Sequence, residues 1–206
     1  MALVKYNDNS ISAISSAGQL AQGSLVPIKT LTASGSASLS FVDGSNDVVL
    51  DSTYPIYKFE FINIHPASNE VNFSVNFRDG GSSYDATKTT TAFAADHYEN
   101  GSGGTLFYWG SKDLAQSTSA QPIASAIGND NDQSCSGSLL LFNPSSTTFV
   151  KHFISDANVI HASDLSLRQL SAGYCNVTVA IDGVQFSMSS GNIDSGTIKL
   201  YGIKDS

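Results

Sequence analysis

Between Glu70 and Arg78 the chain alternates without a break: Val71, Phe73, Val75 and Phe77 are apolar, and Asn72, Ser74, Asn76 and Arg78 are polar. Successive side chains of an extended strand point to opposite faces, so this spacing builds one dry face and one wet face. The run Ile56 to Ile64 does the same, with Tyr57, Phe59 and Phe61 on one side and Ile56, Lys58, Glu60, Ile62 and Ile64 on the other. The connection His65-Pro66-Ala67-Ser68-Asn69 is short and rich in turn residues, which predicts that the two strands form a hairpin. After Arg78, Asp79-Gly80-Gly81-Ser82-Ser83 supplies residues that tolerate positive φ and predicts a second tight turn.

The same period recurs along the chain from Leu25 onward. Further strands are expected at Ala37 to Val42, Gly104 to Trp109, Cys135 to Phe142, Thr148 to Ile154, Asn176 to Met188 and Ser195 to Ile203. Asp182-Gly183 marks a bulge or hairpin inside the Asn176 to Met188 run. One short helical patch is expected at Ala92 to Tyr98, although the β-branched Thr89-Thr90-Thr91 precedes it. Eight or nine strands with one dry face each, and no strand-helix alternation, predict an all-β protein: an antiparallel β-sandwich of jelly-roll type. No fixed-period repeat or linker-like break divides residues 25–206, so they form one domain.

Residues 1–24 read differently. Ile11, Ile14 and Leu20 stand among Ser, Ala and Gly, a weak helical face that Gly18 and Gly23 interrupt. The expectation is an extended or weakly helical arm whose apolar residues, Leu3, Tyr6, Ile11, Ile14 and Leu20, need something to pack on. No long apolar run follows Lys5, so no secretory signal is expected. The best apolar run, Gly137 to Phe142, is broken by Asn143-Pro144, far short of the roughly 18 residues of a membrane helix.

Charge narrows the function classes. Only 14% of the residues are charged, against about 25% in ordinary domains. Eighteen acidic residues outweigh ten Lys and Arg, for a formal charge of −8. A nucleic-acid binder needs clustered cations to displace counterions, and an anionic membrane surface makes the same demand, so neither partner is expected.

The search for chemistry returns little. His65, His97, His152 and His161 are dispersed, with no spacing that brings two imidazoles to one metal. His152 reads as a residue on the polar face of a strand. Cys135 and Cys175 read as small buried hydrophobes, with a single cross-strand disulfide left open. Serine is abundant, but no G-x-S-x-G elbow appears, and the acids fall in turn contexts such as Asp43-Gly44 and Asp79-Gly80, so no nucleophile or acid pair is assigned. Asn129-Asp130-Asn131-Asp132 lacks the glycine and closing glutamate of a calcium loop, and Gly101-Ser102-Gly103-Gly104 lacks the lysine of a phosphate cradle. The sequons at Asn72, Asn100 and Asn176 matter only in a secreted chain. No catalytic, cofactor or metal residues are therefore expected. The remaining candidates are aromatic: Tyr98, Tyr108 and Trp109 flank the glycine-rich loop, where exposed rings can stack on a sugar or meet a partner protein. The competing expectation is that Phe107 and Trp109 face the core.

Four segments together carry a resemblance. They are Tyr54-Pro55-Ile56-Tyr57-Lys58-Phe59-Glu60-Phe61-Ile62-Asn63-Ile64-His65-Pro66, Arg78-Asp79-Gly80-Gly81-Ser82-Ser83-Tyr84, Leu141-Phe142-Asn143-Pro144-Ser145-Ser146 and the ending from Phe186 to Lys204 with its Ser195-Gly196-Thr197-Ile198-Lys199-Leu200-Tyr201-Gly202 strand. In this order they resemble a class of small virion proteins of tailed bacteriophages, common in phages of marine bacteria. The resemblance spans residues 25–204. It implies a β-sandwich displayed on the particle, often as a homotrimer, serving as a capsid decoration or vertex protein or as part of a tail fibre or spike. It implies other virion proteins as partners, synthesis in the host cytoplasm, and no enzyme activity or cofactor. The arm would then anchor the sandwich to the particle. The alternative function is a carbohydrate-binding or host-receptor-binding module built on Tyr98, Tyr108 and Trp109.

Overall fold

A computed structural model describes residues 24–205; the arm residues Leu3, Tyr6, Ile11, Ile14 and Leu20 lie outside the described residues. Twelve strands follow in chain order: β1 (Leu25–Ser36), β2 (Ser38–Val42), β3 (Ile56–Pro66), β4 (Val71–Arg78), β5 (Lys88–Tyr98), β6 (Gly104–Tyr108), β7 (Gln121–Ile127), β8 (Cys135–Phe142), β9 (Lys151–His161), β10 (Leu165–Cys175), β11 (Gly183–Met188) and β12 (Ile193–Ile203). Every strand pairing is antiparallel. One long layer runs β1-β12-β3-β8-β9-β10-β5-β6, and a shorter one runs β7-β4-β11-β2. A single residue pair, Ile127 with His161, joins them through β7 and β9. The all-β antiparallel expectation therefore holds.

The aromatic faces legible in the sequence meet in the middle. Phe59 and Phe61 of β3 approach Phe186 of β11 with ring centroids 5.4 and 5.2 Å apart, and Phe61 stands 5.3 Å from Phe73 of β4. Phe77 of β4 meets Phe153 of β9 at 4.9 Å. All six rings are essentially inaccessible to solvent. This placement corrects the expected hairpin: β3 pairs with β12 and β8, whereas β4 pairs with β11 and β7. Two strands with equally aromatic inner faces satisfy them against each other across the core, and alternation alone cannot tell that arrangement from side-by-side pairing.

Other elements differ in detail. Ala92 to Tyr98 is not helical but belongs to β5, whose buried Ala92 and Ala94 alternate with exposed Phe93 and Ala95 between β10 and β6. The turn expected after Arg78 is a longer connection reaching Lys88, although Gly80 and Gly81 do take φ of 100° and 70°. The strand expected at Thr148 to Ile154 starts later and runs on to His161, and residues 176–182 form an irregular cap rather than the start of β11. Asp182 ends that cap in a two-pronged ion pair: Arg78 donates Nε–H to Oδ1 at 2.8 Å and Nη2–H to Oδ2 at 3.0 Å. β1, β7 and β10 were absent from the expected strands. β7 and β10 point Gln121, Ser125, Gln169 and Ser171 inward, which hides their alternation. Most of their hydrogen-bonding groups are paired locally: Thr90 donates to Gln121 at 2.6 Å, and the Gln121 and Gln169 amides each donate to the Pro122 carbonyl at 2.8 Å, while the Ser125 hydroxyl and the Gln169 Oε1 are buried without a partner among the described residues. Cys135 and Cys175 are buried free thiols.

Lys88, Cys175 and Lys151 stand directly opposite one another on β5, β10 and β9, and all three are fully buried. The lysines act as staples for the connections over one end of the sandwich: Lys88 donates to the Ser119 carbonyl at 2.8 Å and Lys151 to the Val177 carbonyl at 2.9 Å. Burial lowers the Lys88 pKa from 10.5 to about 8, against the pull of the thiol of Cys175 and the carboxylates of Asp85 and Asp79. Below pH 8 the ammonium persists in folded and unfolded chains alike, and the fold bears its desolvation. Between pH 8 and 9 the folded chain releases this proton while the unfolded chain keeps it, so stability rises with pH. The thiols of Cys175, pushed up from 9.0 to about 12 by burial, and of Cys135, raised by burial as well, work in the opposite direction as the unfolded chain's thiols begin to ionise near pH 9. Urea titrations at pH 7, 8 and 9 are expected to show the parent gaining stability relative to Lys88→Met between pH 8 and 9, with Lys88→Met no less stable than the parent at pH 7. A parent that gains nothing over Lys88→Met in this range would contradict the assignment.

Candidate functional site

The aromatic candidates lie on the β5–β6 hairpin at one edge of the long layer. Gly101 and Gly103 take φ of 76° and 74° in its connection, which is why the loop is glycine-rich. Within β5 the odd residues Phe93, Ala95 and His97 are exposed, while Ala92 and Ala94 are buried. Phe93 is paired with Tyr108, and Ala95 with Leu106. Residues directly paired across two strands share a face, so Tyr108 and Leu106 point outward with Phe93.

This parity separates the three aromatic candidates. Trp109 lies partly buried against the core, its ring 5.4 Å from Phe107 in an edge-on contact and 5.3 Å beneath the Lys112 ammonium. Lys112 in turn donates to the Asn72 side chain at 3.2 Å, which fixes the cation over the indole. Tyr98 sits at the far end of β5, on the face opposite to Tyr108. The structure therefore does not gather Tyr98, Tyr108 and Trp109 into one site. It assembles a different group: Phe93, Leu106 and Tyr108, which are 43%, 77% and 62% exposed.

Sequence reasoning missed Phe93 because it assigned that residue to a helix, and missed Leu106 because a lone leucine beside aromatics carries no signal of its own. Leu170 of β10 pairs with Phe93 and extends the apolar row, and the Arg168–Asp156 ion pair at 2.6 Å borders it. The Tyr108 hydroxyl donates to the Asp113 carboxylate, and that bond raises the tyrosine pKa. The polar end of the side chain is thus engaged, and the exposed ring is left for contact. Such a platform can bury apolar area or stack on a ring.

Other polar groups are dispersed. His65 and the Gln133 carbonyl share a hydrogen bond of 2.6 Å at the rim of a polar recess lined by Asn63, Asp132, Asp194 and Ser195. His152 and Tyr174 stack loosely at 6.0 Å beside a shallow depression on the opposite face of β9 and β10 from the core. His161 is held below its ordinary pKa by burial. Residues 129–132 connect β7 to β8, with the Asn129 N–H donating to Asn69 and the Asp130 N–H to Gln133. Among the described residues no group of three His, Cys, Asp or Glu is placed to hold a metal ion. Comparison with protein-family models, curated proteins and solved structures returned no match.

Proposed function

We propose that this chain is a structural protein of a tailed-bacteriophage particle, a β-sandwich displayed on the capsid as a decoration or vertex protein or on the tail as a fibre or spike component. Residues 1–23 fasten it to other virion proteins. The observation that carries the reading is the location of the four resembling segments: residues 54–66 and 186–204 cover β3, the end of β11 and β12, and residues 78–84 and 141–146 start at the last residues of β4 and β8 and run into the connections after them; β12, β3 and β8 are consecutive in the long layer, and β4 and β11 are neighbours in the layer facing them. They form one contiguous block of the fold. The layout suits display, because β1, which follows residues 1–23, and β6 form opposite edges of the long layer. Loading the full chain and residues 24–206 onto particles stripped of this protein tests the fastening. The full chain is expected to bind and the shortened one to be lost by at least tenfold; equal loading would end the idea.

A second reading, a host-glycan or receptor-binding module, is favoured by the outward rings of Phe93 and Tyr108. Aromatic stacking on sugars or bases is worth about 1–3 kcal/mol per ring. Tyr108→Ala is expected to weaken binding to host cells at least fivefold with the fold intact, and unchanged binding would exclude this surface as the contact.

A further inference from the structure

We propose that the free edge of β6 pairs with the same edge of a second copy, antiparallel and centred on Leu106. Among the described residues β6 has a partner on one side only, β5. The Trp109 N–H donates to the Ala92 carbonyl at 2.8 Å, which sets the parity of the ladder. Residues 105, 107 and 109 turn their backbone groups toward β5, and Gly104, Leu106 and Tyr108 turn theirs away. Those three outward residues are the ones a new strand would meet.

Their order is self-complementary. In an antiparallel pair centred on Leu106, that residue faces its own counterpart, and Gly104 faces Tyr108 of the second copy. The largest side chain of the strand then lies over the residue with none, an arrangement in which an aromatic ring covers a strand glycine. All the facing positions are ones whose N–H and C=O point outward, so the register that matches the side chains also completes the hydrogen bonds. Phe93 and Leu170 continue the apolar row behind Tyr108 on each copy.

Nothing in the strand opposes this pairing. Edge strands that stay single usually carry lysine, proline or a bulge, and Gly104-Thr105-Leu106-Phe107-Tyr108 has no charge, no proline and an unbroken register with β5. The chain carries a formal charge of −8, yet the surface that would meet its copy is neutral along β6, so like charges do not face each other there. The buried area is modest. A five-residue strand edge with Phe93, Leu106 and Tyr108 supplies less than the roughly 800 Å² per copy of a standard interface, so the dimer is a weak one that dilution dissociates. The inference goes beyond the particle reading and does not depend on it, because it concerns the protein free in solution.

Sedimentation equilibrium of the full chain from about 5 to 500 µM reads the association. The mean mass is expected to climb from the 21.6 kDa of one chain toward twice that value. Leu106→Lys, at a position 77% exposed, is expected to weaken association at least tenfold while circular dichroism stays unchanged. Phe149→Lys, at an equally open site 70% exposed and remote in sequence, should leave it unaltered. A chain that stays monomeric throughout, or self-association that survives Leu106→Lys, would overturn the proposal. The second outcome would place the contact elsewhere, and the first would leave the β6 edge to a different protein.

Discussion

Phe186→Ala is expected to remove about 3–5 kcal/mol of folding stability, the range found when a buried aromatic ring is cut to a methyl group. Phe186 is where the two layers are joined: its ring lies 5.2 to 6.3 Å from those of Phe61, Phe59, Phe73 and Phe41, which come from three other strands. Four neighbours anchored in paired strands cannot all move inward, so the space collapses little and the loss lies toward the upper end. A domain has only about 5–15 kcal/mol to lose, so the variant is marginal or unfolded at 37 °C. Urea unfolding followed by tryptophan fluorescence, reading Trp109, measures it. Phe149→Ala, at a ring 70% exposed, should shift the midpoint by less than about 0.5 kcal/mol. Similar losses for the two variants would mean that Phe186 is not the joint between the layers.

Gly196→Ala is expected to cost about 3 kcal/mol for a different reason, one methyl group placed against backbone. Gly196 takes φ of 118°, and an added Cβ would lie 2.6 Å from the Asn63 carbonyl oxygen and 2.8 Å from the Ile64 Cα. Neither atom belongs to a flexible side chain. The register of β3 with both neighbours shifts at this place, and Asn63 itself has φ of 50°. A matched irregularity on adjacent strands lets the long layer bend here, and a side chain at 196 would force β12 away from β3. Thermal unfolding should show a fall in midpoint of several degrees, whereas Gly44→Ala, with nothing within 4 Å of the added carbon, should carry the cost of its φ of 70° alone. Equal shifts at the two positions would show that contact with β3 contributes nothing.

The legible part of this fold is the part in which dry and wet faces alternate cleanly. β8 begins at Cys135 and ends at Phe142 as expected, because Asn143-Pro144 punctuates an apolar run. β3 and β4 are equally plain, yet their pattern specifies which side chains turn inward and not which strand lies alongside. β10 was hidden because its inward positions include Gln169, Ser171 and Gly173, polar or small residues; the Gln169 amide and the Ser171 hydroxyl both donate to the Pro122 carbonyl of β7. Lys88 and Lys151 could not be recognised as buried, since lysine is almost always exposed and only the closing loops supply their carbonyl acceptors. At the candidate site, the sequence singled out Tyr98, Tyr108 and Trp109 around the glycine-rich loop but expected a helix at Ala92 to Tyr98 where the structure has β5. Strand parity, visible only once β5 was known to be a strand, replaced Tyr98 and Trp109 with Phe93 and Leu106.

The central claim is that this sandwich is part of a virus particle, and cryo-electron microscopy of the intact particle from the source of this chain tests it most directly. The account predicts density for an antiparallel sandwich with eight-stranded and four-stranded layers at repeated, symmetry-related positions on the capsid or along the tail, attached through the residues that precede β1. Particles whose maps contain no such density, and whose purified protein content lacks the chain, would contradict it.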